Sequence, residues 1–494
     1  MQFHTKPTTY SKLTVDLLVE FVSSEDWEKE LTDLNKTFNN QLLVYLKSER
    51  YEAKENTVQI IPSVGQSSFK TLVIASIGKK TELSLNSVRI AVAQAAKYAQ
   101  TTHKKSIAFD LNTTLFGQLN LQDGAYVVVE GAVLGAYEFS KYKSETKKNF
   151  HEIEDIYFLV PASKIQHIAN GIELGELMVK GTIFARDLIN ESPTITTPIF
   201  LAAAAKSLAK REEVQVEIFT ESEARRMGML AFLAVSRGSD EPAKFIKLTY
   251  KGTGKKKIVL AGKAITFDTG GLSLKDAKNM ETMKLDMSGA AAVLGIFKVL
   301  PQLKPKATVI GLIAACENMP GAKATKPGDI VTALNGTSIE ILNTDAEGRL
   351  TLADVLSYAV KEKPTAIIDL ATLTGACMVA LGEDIAGLFS NNVELKESLL
   401  IASRVVGEKM WELPLEKDYK DQIKSDIADL RNIGKGRYGG AITAALFLEE
   451  FVDNIPWVHL DIAGPAFAEK DSPLISKGGA GYGVRTILQY LRSL

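Results

Sequence analysis

The sequence predicts an α/β protein of two parts, a smaller N-terminal α/β domain and a larger C-terminal α/β domain whose central sheet is mostly parallel and covered by helices. Three observations predict it. At 494 residues the chain is much longer than the roughly 100–200 residues of a typical domain. Apolar runs of strand length alternate with segments of helical period along most of it. In the C-terminal part, polar clusters follow the apolar runs directly, and in a parallel sheet ligands gather at the carboxyl ends of the strands.

In residues 1–164 the runs LLVYL (42–46), TLVIASIG (71–78), SIAFDL (106–111), YVVVEGAVLGAY (126–137) and DIYFLV (155–160) read as strands, and 85–100 as a helix. A long stretch of three-and-four spacing over 165–190 predicts a helix that stops at Glu191-Ser192-Pro193, because the residue before a proline is driven out of the helical region. Residues 165–192 are therefore expected to link the domains. From 193 to 494, VQVEIFT, FIKLTY, KKIVLAG, ATVIGLIAA, SIEILN, TAIIDLATL and WVHLDIAG read as buried strands separated by helices such as 288–299 and 351–361.

Composition narrows the function. Apolar residues make up 46% and charged residues 24%, and no window reaches the roughly 18–20 unbroken apolar residues of a membrane span. The N-terminus has no basic start followed by an apolar stretch, so no signal peptide is read and a cytoplasmic location is expected. A net charge of -1 supplies no basic field for nucleic acid. The lysine-rich stretches 141–148 and 251–257 read as solvated loops. Cys316 and Cys377 lie far apart in apolar settings, which suits buried, reduced thiols rather than a disulfide or a nucleophile.

Three segments carry the chemistry: GKAITFDTGGLSLK (262–275), METMKLDMSGAA (280–291) and NTDAEGRL (343–350). They supply Asp268, Asp286, Asp345 and Glu347, and four converging carboxylates repel one another unless cations sit between them. A pair of divalent metals resolves the conflict. Histidine is scarce: His4, His103, His151 and His167 precede the larger domain, and His459, in a strand-like run, reads as a strand residue rather than a ligand. A carboxylate cage instead suits Mn²⁺, Mg²⁺ or Zn²⁺. Spacing alone makes Lys263 a salt-bridge partner of this cluster. To serve as a neutral amine ligand it would need its pKa lowered from about 10.4 to below about 7, roughly 4–5 kcal/mol.

At NTDAEGRL the sequence resembles the leucyl (cytosol) aminopeptidases, a family of two-metal aminopeptidases. The likeness extends over the GKxITFDTGG and MKxDMSGAA segments, ENMP with KPGDI (317–330), DLATLTGA (369–376), HLDIAGPAF (459–467), GYGVRTIL (481–488) and, in the linker, ARDLINESP (185–193). In the N-terminal domain it is loose, through VLGAYEFSKYK (133–143). The resemblance implies that residues 193–494 are a di-metal peptidase domain. One metal would be held by Asp268, Asp345 and Glu347, the other by Lys263, Asp268, Asp286 and Glu347. This reverses the spacing-only reading of Lys263. It also implies that Lys275 polarises the scissile carbonyl, that Arg349 holds a bicarbonate ion, and that Met283, Thr372, Gly375, Ala463 and Ala466 line the pocket for the first side chain. The implied reaction is release of leucine or another apolar residue from the free N-terminus of short peptides, through a water bridging two Mn²⁺ or Zn²⁺ ions, in a homohexamer. Ala264 departs from the family's usual glycine, and Pro465 and Phe467 fall where the family varies.

Three other readings remain: a two-metal phosphoesterase, which would want more histidines and cations; a DNA-binding role through the N-terminal domain, against which the acidic SSEDWEKE (23–30) argues; and an inactive homologue, against which the intact ligand set argues.

Overall fold

The computed structural model describes every residue except 8, 64–66, 112–119, 145–151 and 210–212. Part of the lysine-rich stretch 141–148, and His151, thus lie outside the described residues. The chain forms two compact units, Met1–Val179 with Lys470–Ser476, and Lys180–Glu469 with Lys477–Leu494.

The first unit is built on six strands: β1 (Gln2–Lys6), β2 (Val15–Val22), β3 (Thr57–Pro62), β4 (Phe69–Ser76), β5 (Ser106–Asp110) and β6 (Asp155–Leu159). Their order is β1-β6-β5-β2-β4-β3, and every pair is parallel except β3 with β4. Two of the runs read as strands are helices. LLVYL lies in the helix Leu42–Ser48, where Leu42 and Leu46, four apart, are buried in one cluster with Phe38 and Phe69. A five-residue apolar run cannot by itself separate the two periods.

YVVVEGAVLGAY belongs to the helix Leu121–Gly135, whose N-cap Asn120 accepts a hydrogen bond from the Gln122 amide. Its valines favour a strand, but tertiary packing wins. A methyl group on Gly135 would lie 2.7 Å from Ala93 Cα, so the glycine brings this helix close against the alanine-rich helix Leu85–Thr101. The long helix also forms, over Ile165–Asn190.

The second unit contains β7 (Val214–Thr220), β8 (Lys244–Tyr250), β9 (Lys257–Asp268), β10 (Thr308–Asn318), β11 (Asp329–Thr332), β12 (Ser338–Ile341), β13 (Ala366–Ala371), β14 (Ala386–Ser390), β15 (Met410–Glu412), β16 (Leu430–Arg431) and β17 (Trp457–Asp461). Eight of them form one sheet in the order β15-β14-β17-β13-β9-β10-β8-β7. The central four, β17, β13, β9 and β10, run parallel, and antiparallel pairs begin at β14 on one side and β8 on the other. SIEILN does not join this sheet: its strand β12 pairs with β11 and β16 in a separate three-stranded sheet.

The helix Ser288–Leu303 covers one face of the central strands, where Gly262 lets its backbone approach Ala290. The helix Gly348–Lys361 covers the other, packed in the core cluster that holds Val259, Ala261 and Ile265. Each helix begins inside a site motif, so Asp286, Asp345 and Glu347 sit just ahead of helix starts, while Asp268 closes β9. No helix among the described residues is long and apolar enough to cross a membrane.

Candidate metal centre

Lys263 and Asp268 both belong to β9, five residues apart, and strict alternation would send them to opposite faces of the sheet. The ladder with β10 prevents this. Ile265 pairs with Cys316 and Asp268 with Asn318, so three steps on β9 face two on β10. The extra residue is a bulge, which returns Asp268 to the face of Lys263 and Ile265.

Asp286 comes from the tight turn Met283–Met287, and Asp345 and Glu347 from the loop before the helix Gly348–Lys361. Carboxylate oxygens of Asp268, Asp286 and Glu347 lie within 4.8 Å of one another, all three residues buried.

Lys263 Nζ donates to Asp286 Oδ1 at 2.7 Å and to the Thr372 carbonyl at 2.8 Å, and lies 2.8 Å from Glu347 Oε1. Burial pulls its ammonium pKa down, but Asp286, Glu347 and Asp268 outweigh burial and hold it above the usual lysine range. Lys275 Nζ lies 2.9 Å from Asp268 Oδ2 and 2.5 Å from Asp345 Oδ1, and the same balance of burial against Asp268 and Glu347 raises it. Desolvation pushes Asp268, Asp286 and Asp345 above the ordinary carboxylate range.

Four carboxylates therefore face two ammoniums, an excess of two negative charges in a buried space. Asp286 Oδ2 and Glu347 Oε2 are buried and have no hydrogen-bond partner among the described residues. Burying such oxygens is costly, and divalent cations would satisfy both the charge and the lone pairs. Oxygen donors with a single amine suit a hard or borderline ion. The residues present fit a metal centre.

Arg349, second in its helix, is buried and donates from Nη1 to the Asn432 carbonyl at 2.7 Å. Burial lowers its pKa to about 10. No carboxylate lies at ion-pair distance from it among the described residues, which leaves the guanidinium suited to a small anion.

Of the residues expected to line a pocket, Thr372 and Gly375 follow β13 and Ala463 and Ala466 follow β17. Besides its carbonyl contact, Thr372 donates from Oγ1 to Asp286 Oδ1 at 2.7 Å. It therefore braces the carboxylate. Gly375 opens the helix Gly375–Leu381, and its Cα faces open space. The Ala463 amide donates to Asp461 Oδ1, Ala466 is fully buried, and Met283 is half-buried at the start of its turn. Ala264 is buried on the sheet face opposite Lys263. His459 is a strand residue, its Nδ1 2.6 Å from Asp369 Oδ1. Both cysteines are free and buried.

Two asparagines that sequence reasoning passed over organise the site. Asn318 Nδ2 donates to Asp268 Oδ1 at 2.8 Å and to the Thr344 carbonyl at 3.0 Å. Asn432 Oδ1 accepts from the Leu342 and Asn343 amides, and its Nδ2 donates to the Asn343 and Ala346 carbonyls. Asn318 stood within the quoted ENMP segment, whereas no motif covered Asn432.

An acidic, buried cage at the carboxyl ends of parallel strands marks a candidate metal centre of an α/β protein. The sequence model of the cytosol aminopeptidase family's catalytic domain matches residues 183–488, and that of its N-terminal domain matches 19–146. A probable cytosol aminopeptidase of Aquifex aeolicus (strain VF5) is 44% identical over 467 residues, 94% of this chain and 92% of the relative. Another, from Sulfurihydrogenibium sp. (strain YO3AOP1), is 41% identical over 490 residues, 99% of this chain and 96% of the relative.

Among solved structures, a mutant of tomato leucine aminopeptidase superposes with a TM-score of 0.90 at 35% identity, covering 100% of this chain and 97% of that one. The bottromycin maturation enzyme BotP in complex with Mn gives 0.84 at 30%, covering 97% and 99%. The chain belongs to the cytosol aminopeptidase family, whose members are metal-dependent peptidases.

Proposed function

We propose that this protein is a two-metal aminopeptidase that releases leucine and other apolar residues from the free N-terminus of short peptides in the cytoplasm. The observation that carries the reading is the buried cage with two unpartnered oxygens, on Asp286 and Glu347, flanked by Lys275 and Arg349. Asp268, Asp345 and Glu347 would hold one ion, and Lys263, Asp268, Asp286 and Glu347 the other, Mn²⁺ or Zn²⁺ in both places. When bound, such a pair makes a water acidic enough to act as nucleophile near neutral pH and seats a free α-amine.

The chain's own groups do the rest. Lys275 is the less buried of the two lysines, its side chain 15% exposed against 4% for Lys263. Its ammonium donates to the carbonyl oxygen as negative charge develops there. Arg349 would hold a small oxyanion such as bicarbonate, which would supply a proton relay beside the reacting groups. Met283, Thr372, Gly375, Ala463 and Ala466 form the wall around the first side chain, small and apolar enough for leucine or methionine. The working assembly is proposed to be a homohexamer, which light scattering on the purified protein would test.

Metal-stripped protein should not hydrolyse leucine p-nitroanilide. Mn²⁺ or Zn²⁺ should restore turnover, and the N-acetylated substrate should stay intact. Turnover without metal, or equal turnover of the acetylated substrate, would overturn the reading.

A further inference from the structure

We propose that Asn318 is a positioning residue for metal capture: its side-chain amide fixes Asp268 and ties that ligand to the loop that carries Asp345 and Glu347. The proposal rests on the two-metal reading of the site. Asn318 ends β10 opposite Asp268, at the bulge that turns Asp268 toward the cage, and it is buried. Both hydrogens of its amide are used, one on Asp268 Oδ1 and one on the carbonyl of Thr344, the residue before Asp345. One side chain thus grips two separate ligand segments.

Asp268 Oδ1 also accepts from the Gly270 amide at 2.9 Å. With two donors on Oδ1 the carboxylate cannot rotate freely, and Oδ2 is the oxygen held toward Lys275 and the rest of the cage. Partners that orient a ligand in this way restrict its motion before the ion arrives, so less entropy is lost on binding.

The surroundings separate this role from ordinary strand support. The Asn318 backbone is anchored on its own account, because its carbonyl accepts both the amide of Thr269 at 3.0 Å and the Thr269 hydroxyl at 2.7 Å. Replacing the side chain therefore leaves the strand end in place. The side chain also has no spare room: a methyl group on Gly271 would lie 2.7 Å from Asn318 Oδ1. That glycine, at φ +65°, keeps the amide in its orientation.

The test is calorimetric titration of the metal-free full-length protein with Mn²⁺, comparing wild type with Asn318→Ala and Asn318→Leu. Circular dichroism melts monitor folding, and the Leu variant, which keeps the heavy-atom count and the branch at Cγ, carries the test should the Ala variant fail to fold. The expected result is Mn²⁺ affinity lowered about 10- to 100-fold in a variant that still melts cooperatively. A purely structural role would lower the melting temperature of the metal-free protein and leave affinity unchanged, and that result would overturn the proposal. Wild-type protein that takes up no Mn²⁺ at all would overturn this proposal together with the metal site, so the two failures are distinguishable.

Discussion

Asp345 and Glu347 reach the cage from one short loop and would each serve an ion, so neutralising either should remove the function while sparing the fold. Asp345→Asn and Glu347→Gln keep the shape of the side chain. Each is expected to lose nearly all hydrolysis of leucine p-nitroanilide with an unchanged circular dichroism spectrum, and wild-type turnover in either would remove it from the ligand set. Lys275→Ala addresses a different step. Losing one donor aimed at a developing oxyanion costs about 10²–10³ in kcat. The variant should therefore be slower by that factor in a steady-state assay and still take up metal. The carboxylates stood out in the sequence through the combination of three polar segments after apolar runs, and the role of Lys275 came from the family resemblance alone. Asn318 and Asn432 did not stand out, because their partners lie tens of residues away, 50 for Asn318 with Asp268 and 89 for Asn432 with Asn343. A one-letter amide carries no sign of such contacts.

Within the second unit, one buried carboxylate joins two elements. Asp354, on the helix Gly348–Lys361, accepts from the Phe232 amide at 2.8 Å, in the helix Leu230–Ser236, and from the Leu334 amide at 2.7 Å. Burial outweighs these contacts and raises its pKa from 3.8 to about 7. The folded chain then keeps a proton that the unfolded chain releases above about pH 4. The stability linked to this group is present below that pH and is lost as pH rises toward 7, up to about 4 kcal/mol. Asp354→Asn should flatten that part of the stability–pH curve in urea titrations at pH 4, 5.5 and 7, and identical slopes in the two proteins would refute the assignment. Elements whose period was long and clean, such as 165–190, could be read directly. The failures were LLVYL and YVVVEGAVLGAY, where apolar residues and valine favour a strand while neighbours far along the chain, Phe69 and Ala93, select a helix. SIEILN had the right local form, and only its pairing partners, β11 and β16, show that it belongs to another sheet.

Across the whole chain, the two compact units should respond differently to metal, because every proposed ligand belongs to the second. An ion that binds only the folded state at 100 times its Kd adds about 2.7 kcal/mol. In differential scanning calorimetry, Mn²⁺ should raise the transition of the second unit, EDTA should reverse the shift, and the transition of the first unit should stay where it is. Equal shifts in both would place the ions elsewhere. The bulge in β9 has a consequence at the level of the gene. An in-frame gain of one codon between Ile265 and Asp268, with the one-residue bulge kept, would turn the aspartate to the opposite face and out of the cage. Every proposed ligand would still be encoded, in the same order, so a disabled copy of such a gene could pass any inventory of its motifs. What would betray it is the count of residues between a lysine and an aspartate.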